Sequence, residues 1–556
     1  MNRVSTRSLK AVFLNSSLTL FIIFLFLNSL KVTLFYYFIL EHDESIYLPL
    51  LIHFVTTFVI ASTFFLIIFR SSKPYFFLIA YILQAAFLFV NEIYFYYFYD
   101  FIHLNYYFLI TNELYRILNH LEFVIDKKFL MVFLDLPLLI LLIYSYTSVH
   151  SLIIRNSFRC RVVILSGILI TVIFYSMYPA LTRDDDYTVV KDYGILTHYF
   201  FDLAKIKKEL HPLSEISYGN KVVIHSPNSH RANVLMIQVE SLDANIINTT
   251  YRGRYITPFL HDLSQKSIYY PYALSYRRAG GTSDCEVAVL NSLESLENYP
   301  IMKLESYSYP NCIVEKLNKQ GYRTIAFHGN AGRYWNRNKA YKQMNFDEFY
   351  DRRRMGLKVV GWGAPDKDVF EYVKNTLSSE NKNFFYYIIT MSSHEPFTLV
   401  KQYYIINTFD DVEPALTRNY FSSIQYVDNT LRDFITTFRK KYKNTFIFIY
   451  GDHTPYVIDE GDYKRTFFIL DHRGFEFVPL IILTPDNRIY REEHRVAGYL
   501  DFAPTVLSAA GGSFEIRTSG LDLLRTPITD DNIKFRGQSY DRKLLFKQAE
   551  NIPKYH

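Results

Sequence analysis

The sequence predicts two structural parts: an N-terminal domain of five transmembrane helices, and an α/β domain with a central, mostly parallel sheet. Two observations support this prediction. Long apolar runs fill the chain up to about Leu181, whereas short β-rich runs alternate with helical segments from Lys221 onward. The mean hydropathy of the 556 residues is near zero because it averages an apolar part and a polar part.

The composition excludes several other classes of protein. Half of the residues are apolar and 18% are aromatic, including 48 Phe and 48 Tyr, so the chain is neither disordered nor collagen-like. Three cysteines in this length cannot form a disulfide-stapled scaffold. The net charge of +6 is small, and much of it flanks the apolar runs, which argues against a nucleic-acid partner.

Five apolar runs are long enough to cross a hydrocarbon core, which takes about 20 residues. Basic residues precede the first run and separate the second from the third and the fourth from the fifth, all on one side. By the positive-inside rule, the N-terminus is cytoplasmic and everything after Pro179 is extracytoplasmic, in a multi-pass protein of the cell membrane. Lys127 and Lys128, on the outer side, are the exception. The predicted spans are Ala11–Leu30, Ile46–Phe69, Tyr75–Phe98, Phe129–Val149 and Val162–Pro179.

Three features refine this domain. Asp100–Lys128 is predicted to be an outer loop with interfacial helices, and the aromatic residues from Tyr94 to Tyr99 an interfacial belt. Asp135 is either a side chain that snorkels to the interface or part of a lipid-headgroup site. The predicted boundaries are a transmembrane domain over 1–181, an amphipathic linker over 182–220, the α/β domain over 221–530 and a C-terminal tail over 531–556.

The α/β domain is predicted from alternating strands and helices, which is typical of a parallel sheet covered by helices. The predicted strands are Asn233–Val239, Arg323–His328, Phe384–Met391, Thr445–Tyr450 and Val478–Leu483. The predicted helices include Thr257–Lys266, Asn311–Gln320, Phe370–Leu377 and Arg418–Tyr442.

Carboxylate and imidazole side chains follow four of these strands. Sites in open α/β sheets form beyond the carboxyl ends of the strands, so these side chains are expected to converge. Nitrogen and oxygen ligands without thiolate favour Mn²⁺ or Zn²⁺. Each residue alone could be a hydrogen-bonded structural residue, and only their joint occurrence favours a metal site. The residues are Glu240, His328, His394, Asp452 and His453.

A hydroxyl nucleophile is suggested by Gly280-Gly281-Thr282-Ser283-Asp284, which precedes a helical run. Glycines before a helix N-terminus let a phosphate approach the backbone N–H groups, and a threonine there can be activated by a metal ion. The alternative is that Thr282 or Ser283 is a simple N-cap.

These motifs together resemble the lipoteichoic-acid synthase family of membrane-anchored phosphoglycerol transferases, whose extracellular domain is sulfatase-like and belongs to the alkaline-phosphatase superfamily. The resemblance rests on Glu240, on Gly-Gly-Thr282-Ser-Asp, on Phe-His328-Gly-Asn with Tyr-Trp335-Asn-Arg337, on Ser-Ser-His394-Glu-Pro-Phe and on Tyr-Gly-Asp452-His453. The segment from Asp501 to Gly512 is also similar to a late helix of that superfamily.

The resemblance implies a role for each matching residue. Glu240, Thr282, Asp452 and His453 would bind one divalent ion, Mn²⁺ first, with Zn²⁺ or Mg²⁺ as alternatives, and Thr282 would be the nucleophile. His394 or His328 would protonate the leaving group. The substrate headgroup would lie among His328, Trp335, Arg337 and His394, with Arg337 presenting a bidentate fork to phosphate.

The implied reaction moves glycerophosphate from phosphatidylglycerol, through a phosphothreonine, to an envelope glycan or a polyol-phosphate acceptor. A phosphoethanolamine transferase acting on lipid A or a glycan is one alternative, and a non-catalytic membrane receptor or scaffold is another. Thr454-Pro455-Tyr456 departs from the continuation expected after Asp452-His453, which leaves acceptor recognition open. Cys285 and Cys312 either pair in one extracytoplasmic disulfide or remain free thiols.

Overall fold

The structure is a computed structural model that describes part of the N-terminal region and most of the chain after residue 216. The described residues before 216 are 23–39, 47, 49–51, 53–55, 57–59, 75–98, 101–102, 104, 127–141, 186–199 and 202. From 216 to 555 the structure describes all residues except 227–230, 279, 297–298, 305–306, 361–362, 378–379, 398–407, 456–462, 472, 486–489 and 526–530.

Several sequence predictions concern residues outside these ranges. The predicted fifth span lies wholly outside them, as do large parts of the first, second and fourth. The basic clusters that predicted the orientation, Cys160, most of the predicted outer loop and most of the predicted linker also lie outside the described residues.

The chain divides into two compact units, Met1–Glu209 and Leu210–His556. In the first unit, residues 23–39 and Tyr75–Phe98 are helical, Lys127–Phe133 forms a 3₁₀-helix and Asp186–Tyr193 a short α-helix. Among the residues described, none of the helices has both the length and the apolar character that crossing a membrane requires.

Two side chains of the first unit are buried within it. The Asp135 carboxylate lies 3.3 Å from the Lys31 ammonium and accepts a 2.6 Å hydrogen bond from the Tyr81 hydroxyl. Phe95 stacks on Phe101 with ring centroids 5.0 Å apart. Burial of the aromatic ring stabilises this unit, whereas burial of the carboxylate is tolerated because Lys31 and Tyr81 pair with it.

The second unit contains a large sheet and several two-stranded ribbons. Its strands are β1 (Asn220–His225), β2 (Asn233–Val239), β3 (Thr250–Tyr251), β4 (Arg254–Tyr255), β5 (Ile268–Leu274), β6 (Arg323–His328), β7 (Glu348–Asp351), β8 (Phe384–Ile389), β9 (Thr445–Gly451), β10 (Phe467–Leu470), β11 (Arg473–Leu483), β12 (Arg491–Glu492), β13 (Ala497–Gly498), β14 (Ser513–Thr518), β15 (Asn532–Phe535) and β16 (Gln538–Asp541).

The central sheet has the order β12-β5-β11-β9-β2-β8-β6-β7, with β10 beside β11 and β13 beside β5. The strands β9, β2, β8, β6 and β7 are mutually parallel and form what we call the parallel side. On the other side, here the antiparallel side, β11 runs opposite to both of its neighbours, β9 and β5. The sheet is therefore mixed, and the expectation of a mostly parallel sheet holds for the parallel side.

The predicted strands are found with small shifts at their ends. β2 and β6 have the predicted bounds, β8 ends at Ile389 instead of Met391, and β9 continues to Gly451. β5 was not predicted, and β11 begins at Arg473 instead of Val478. Proline is the physical reason that β5 was not predicted: Pro271 lies opposite Pro479 at a register shift between β5 and β11, a bulge position where a strand tolerates a residue without an N–H.

The tyrosine-rich composition of the strands follows from their burial. Every residue of β8 and β9 is buried, as in sheets that helices cover on both faces. The two tyrosines of β8 direct their hydroxyls to polar partners, Tyr387 to Gln238 and Tyr386 to Glu380.

The helices of this unit, numbered from its start, cover the sheet. The predicted helices are present with ends that differ by a few residues. The α-helices are α1 (Pro258–Ser264), α2 (Thr282–Asn291), α3 (Ile313–Lys319), α4 (Arg337–Gln343), α5 (Asp366–Leu377), α6 (Ala415–Lys441), α7 (Phe502–Ala510) and α8 (Arg542–Glu550).

The C-terminal segment, which the sequence leaves unplaced, is part of the second unit. β15 contributes Ile533 and Phe535, β16 contributes Tyr540 and α8 contributes Phe546 to its hydrophobic core. The Arg542 guanidinium, 1% exposed, donates two hydrogen bonds of 2.7 and 2.9 Å to the Asp501 carboxylate at the start of α7. This buried bidentate pair holds the segment in place.

Candidate active site

The sheet register brings Glu240 and Asp452 to the same level at the carboxyl edge of the parallel side. Val239 of β2 pairs with Gly451 of β9, and the two acidic residues follow directly in the chain. The backbone N–H of Glu240 donates to the Thr390 hydroxyl at 2.9 Å, and Ser241 adopts a positive φ of 53° as the chain turns away. Both carboxylates are thus fixed by strands and very short connections.

Asp452 presents one carboxylate oxygen to the protein and one to the cluster. Its Oδ1 accepts hydrogen bonds from the backbone N–H groups of Ser241, at 2.9 Å, and His453, at 2.8 Å. Its Oδ2 is buried and, within the described part of the chain, accepts no hydrogen bond. A buried carboxylate oxygen without a donor is costly unless a cation binds it.

His453 completes the cluster. Its Nδ1 lies 2.9 Å from the Thr454 carbonyl oxygen, and its Nε2 lies 3.2 Å from Glu240 Oε1 and 3.6 Å from Asp452 Oδ2. A carbonyl only accepts, so Nδ1 carries the proton, and Nε2 is the nitrogen available to a cation. One ligand atom each from Glu240, Asp452 and His453 lies within 4.8 Å of the others.

The cluster buries two carboxyl groups beside one imidazole, an arrangement that a bound cation would stabilise. Burial acts to raise the pKa of Glu240, but the charges of His453 and His394 outweigh it, and the pKa falls to about 2. Burial and the Glu240 charge raise the pKa of Asp452 to about 8. Burial would lower the pKa of His453, yet Asp452 and Glu240 raise it to about 9. The oxygen and nitrogen donors and the unpaired Oδ2 fit a divalent cation.

Thr282 enters the site as the first residue of α2. Gly281 is its N-cap residue, with a positive φ of 51°, and Ser283 bonds back to the Gly280 carbonyl, so neither hydroxyl residue is a simple N-cap. The Asp284 carboxylate accepts the backbone N–H groups of Arg278, at 2.7 Å, and Gly280, at 2.8 Å, and holds the loop. The Thr282 hydroxyl, half-buried, lies 3.4 Å from Glu240 Oε2.

A side chain at Gly280 would not fit this loop. A Cβ built there would lie 2.2 Å from Asp284 Oδ1. The glycine is therefore needed for the close packing that places Thr282 against Glu240.

The two predicted pocket histidines follow β6 and β8. His328 is buried, with Nδ1 3.3 Å from the Ile389 carbonyl, and burial together with the nearby Arg337 charge holds its pKa well below the usual value. His394 is half-buried, with Nδ1 2.7 Å from the Glu395 carbonyl. His328 is therefore neutral and has its single N–H directed at a carbonyl.

Arg337 differs from its predicted role. Its Nε lies 3.0 and 3.1 Å from the two Glu286 carboxylate oxygens and its Nη2 lies 2.5 Å from Glu286 Oε1, with both side chains buried. The bidentate fork expected for a phosphate is thus taken by Glu286, which also accepts the Tyr341 hydroxyl. Trp335 is half-buried with a positive φ of 54°, and the Lys303 ammonium lies 4.8 Å above its ring.

Several residues around the site were missed from the sequence. Glu286 lies four residues after Thr282, which places both on one face of α2, so helical spacing could have indicated it. Thr454 was singled out only as a departure from the family pattern. Glu476 and Arg277 gave no signal, because they reach the site from β11 and from the loop after β5.

Cys285 and Cys312 are both buried and free in the structure. This answers the open question of a disulfide in favour of free thiols. Burial raises the pKa of Cys312 to about 12 and that of Cys285 well above its usual value.

The fold and the cluster define the class of protein, an α/β domain with a cation-binding group of side chains at the carboxyl edge of its sheet. Residues 232–513 match the Sulfatase family, and the chain belongs to that family.

Curated relatives confirm the resemblance to lipoteichoic acid synthases. The chain is 30% identical over 305 residues to the lipoteichoic acid synthase of Staphylococcus aureus (strain NCTC 8325 / PS 47), covering 50% of this chain and 45% of that protein. It is 27% identical over 301 residues to the lipoteichoic acid synthase-like YvgJ of Bacillus subtilis (strain 168), covering 52% and 47%. The chain thus spans about half the length of the curated relatives it matches.

Solved structures share the fold at lower identity. The integral membrane protein lipooligosaccharide phosphoethanolamine transferase A (EptA) from Neisseria meningitidis is 14% identical, with a TM-score of 0.52 over 91% of this chain and 97% of that chain. The lipoteichoic acid synthase LtaP from Listeria monocytogenes is 21% identical, with a TM-score of 0.48 over 63% and 99%.

Proposed function

We propose that the protein is a metal-dependent phosphoglycerol transferase. It moves glycerophosphate from phosphatidylglycerol, through a phosphothreonine at Thr282, to an acceptor hydroxyl on an envelope glycan or a polyol-phosphate chain. The observation that supports this proposal is the contact of 3.4 Å between the Thr282 hydroxyl and Glu240, a member of the Glu240–Asp452–His453 cluster. The curated relatives are named lipoteichoic acid synthases, and the resemblance of the motifs to that family implies the transferred group.

The cluster and Thr282 would hold the cation. Glu240, Asp452 Oδ2 and His453 Nε2 are the protein ligands, and the Thr282 hydroxyl is the fourth. When bound, a divalent ion, Mn²⁺ in our proposal, neutralises phosphate charge and lowers the pKa of a hydroxyl group.

In the first half of the reaction, Thr282 Oγ1 forms a bond to the donor phosphorus while its proton leaves to solvent. The bond from phosphorus to the diacylglycerol oxygen breaks, and that oxygen takes a proton. We assign this proton to His394, which is half-buried, because His328 is fully buried and neutral.

In the second half, the acceptor hydroxyl gives its proton to His394, which has just lost one. The acceptor oxygen bonds to phosphorus, the bond from phosphorus to Thr282 Oγ1 breaks, and Thr282 Oγ1 regains a proton from solvent. His328, Trp335 and Arg337 line the headgroup pocket in this proposal. Arg337 acts there through its charge and its effect on His328, since its fork is bound to Glu286.

The proposal includes the membrane organisation predicted from the sequence. Residues 1–181 span the membrane five times, 182–220 form a linker, 221–530 are the extracytoplasmic catalytic domain and 531–556 its C-terminal segment. Such an anchor keeps the site at the outer leaflet, where a lipid donor diffuses in two dimensions. The long apolar runs support it, as does the description of EptA as an integral membrane protein.

The deciding experiment incubates the purified full-length protein and Mn²⁺ with labelled phosphatidylglycerol and, separately, with phosphatidylethanolamine. Release of diacylglycerol from phosphatidylglycerol, and a glycerophosphate adduct on Thr282 found by mass spectrometry, would support the proposal. The Thr282→Ala protein is the control for non-enzymatic release.

Phosphoethanolamine transfer is the second candidate, because EptA shares the fold over nearly the whole chain. Release from phosphatidylethanolamine alone, with a phosphoethanolamine adduct, would replace our proposal with this one. Release from neither lipid, together with no bound metal, would favour the non-catalytic receptor or scaffold.

A further inference from the structure

Thr454 and Glu476 form a buried contact directly behind the metal-ligand cluster. The Glu476 Oε1 atom accepts a 3.0 Å hydrogen bond from the Thr454 backbone N–H and a 2.7 Å hydrogen bond from the Thr454 hydroxyl. Glu476 lies near the start of β11, which runs opposite to β9, so its side chain is at the carboxyl edge where β9 ends. Thr454 follows His453 in the chain.

Arg277 supplies the countercharge. Its Nη2 lies 3.1 Å from Glu476 Oε1, and both side chains are less than a tenth exposed. Burial opposes ionisation of Glu476, yet the Arg277 charge outweighs it and lowers the pKa of the carboxyl group. The carboxylate is thus held as an anion whose Oε1 atom accepts two hydrogen bonds from Thr454 and pairs with Arg277, which makes the contact strong and directional.

This contact bears on the orientation of His453. The backbone of Thr454 uses its N–H for Glu476 and its carbonyl for His453 Nδ1, at 2.9 Å. Fixing Thr454 therefore fixes the carbonyl that orients the imidazole and keeps Nε2 directed at the cluster. Partners of this kind commonly contribute 10–100-fold to metal affinity.

We propose that Thr454, Glu476 and Arg277 are positioning residues that hold the His453 imidazole ready for a divalent cation. The inference rests on the proposed function, since it assumes that the Glu240–Asp452–His453 cluster binds the ion. Thr454 belongs to the segment that departs from the family pattern. The inference gives this residue a role that is separate from acceptor recognition.

The test is Mn²⁺ binding to the full-length protein in detergent, measured by isothermal titration calorimetry and by the rise in Tm that Mn²⁺ produces. Thr454→Val keeps the side-chain shape but removes the hydroxyl donor. We expect it to weaken Mn²⁺ binding by about 10-fold or more and to reduce the metal-dependent rise in Tm. Thr454→Ser keeps the hydroxyl and should restore wild-type affinity.

Thr249→Val is the matched control. Thr249 is also buried and donates a 2.8 Å hydrogen bond, to the Asn245 carbonyl, but it has no contact with the cluster among the described residues. It should lower the Tm of the metal-free protein without changing Mn²⁺ affinity. Equal Mn²⁺ affinity for folded Thr454→Val and wild type would overturn the inference. A wild-type protein that binds no Mn²⁺ would instead overturn the proposed function, and with it the positioning role of Thr454, Glu476 and Arg277.

Discussion

The two sides of the central sheet contribute differently to the candidate site. On the parallel side, β2, β6 and β9 lead directly to Glu240, His328 and Asp452-His453, and the segment after β8 holds His394. On the antiparallel side, the contributing groups reach the site from farther away, through the loop from β5 to α2 and from the reversed strand β11. In the function that we propose, the parallel side supplies three of the cation ligands, whereas the antiparallel side supplies the nucleophile Thr282 and the groups that orient the ligands.

This difference explains which parts of the site the sequence predicts. Polar residues at the ends of parallel strands directly follow short apolar runs in the sequence. A motif such as Gly-Asp452-His453 can therefore be recognised from neighbouring residues alone. Glu476 lies near the start of β11, in the part that pairs with β10, and its partner Thr454 is 22 residues away in the sequence. Nothing local distinguishes such a carboxylate from any other strand residue, because its meaning depends on a contact made by the fold.

The fold shows the same asymmetry. The uninterrupted β-rich runs of β2 and β6 gave the correct bounds, since buried parallel strands read as continuous apolar segments. β5 was missed because a proline, Pro271, argues against a central strand, although the bulge opposite Pro479 accommodates it. The C-terminal segment was unreadable because its place depends on the Arg542–Asp501 pair.

The strongest test of this division of roles is Thr282→Ala on the antiparallel side. Loss of the nucleophile should reduce diacylglycerol release by at least about 10⁴-fold while leaving Mn²⁺ binding by the three remaining ligands measurable. Labelled phosphatidylglycerol and calorimetry give the two readings. Substantial release from the variant would mean that Thr282 is not the nucleophile.

Glu286→Gln tests the connection between the two sides, because Glu286 on α2 pairs with Arg337 on α4, which follows β6. The change leaves a buried guanidinium without its countercharge, so we expect the free energy of unfolding to fall by about 3–5 kcal/mol. Denaturant unfolding measures it.

The control for that variant is Glu315→Gln, which breaks the exposed pair with Lys319 on α3. An exposed pair should cost less than about 1 kcal/mol. If the two variants lost equal stability, the Glu286–Arg337 pair would not be what joins the two sides.

Asp452→Asn tests the parallel side alone. The asparagine side-chain oxygen can still accept the two backbone N–H groups that Asp452 Oδ1 accepts, so the fold should persist. The charged Oδ2 is lost, and Mn²⁺ affinity should fall by about 100-fold, comparable to the upper end of effects seen when ligand surroundings are altered. Calorimetry with Mn²⁺ measures this, and unchanged affinity would remove Asp452 from the ligand set.

The smallest expected effect concerns Cys285 and Cys312. A disulfide between these two residues would add a covalent cross-link between the two sides of the sheet. Cys285 lies on α2, and Cys312 precedes α3, which leads into β6. A disulfide between them would cross-link the two sides, whereas both thiols are free and buried in the structure. Besides the pairing of β9 with β11, the connection from α2 to the segment after β6 is then the noncovalent Glu286–Arg337 pair.

This arrangement predicts how the thiols react with an alkylating reagent in a Cys160→Ser background, which leaves only these two cysteines. Because burial raises the pKa of Cys312 to about 12 and that of Cys285 well above its usual value, both remain protonated and unreactive in the folded protein even at pH 9. In denaturant without a reducing agent, both should be labelled, as mass spectrometry would show. A denatured protein that takes up label only after reduction would contain the disulfide, and the two sides would be covalently joined.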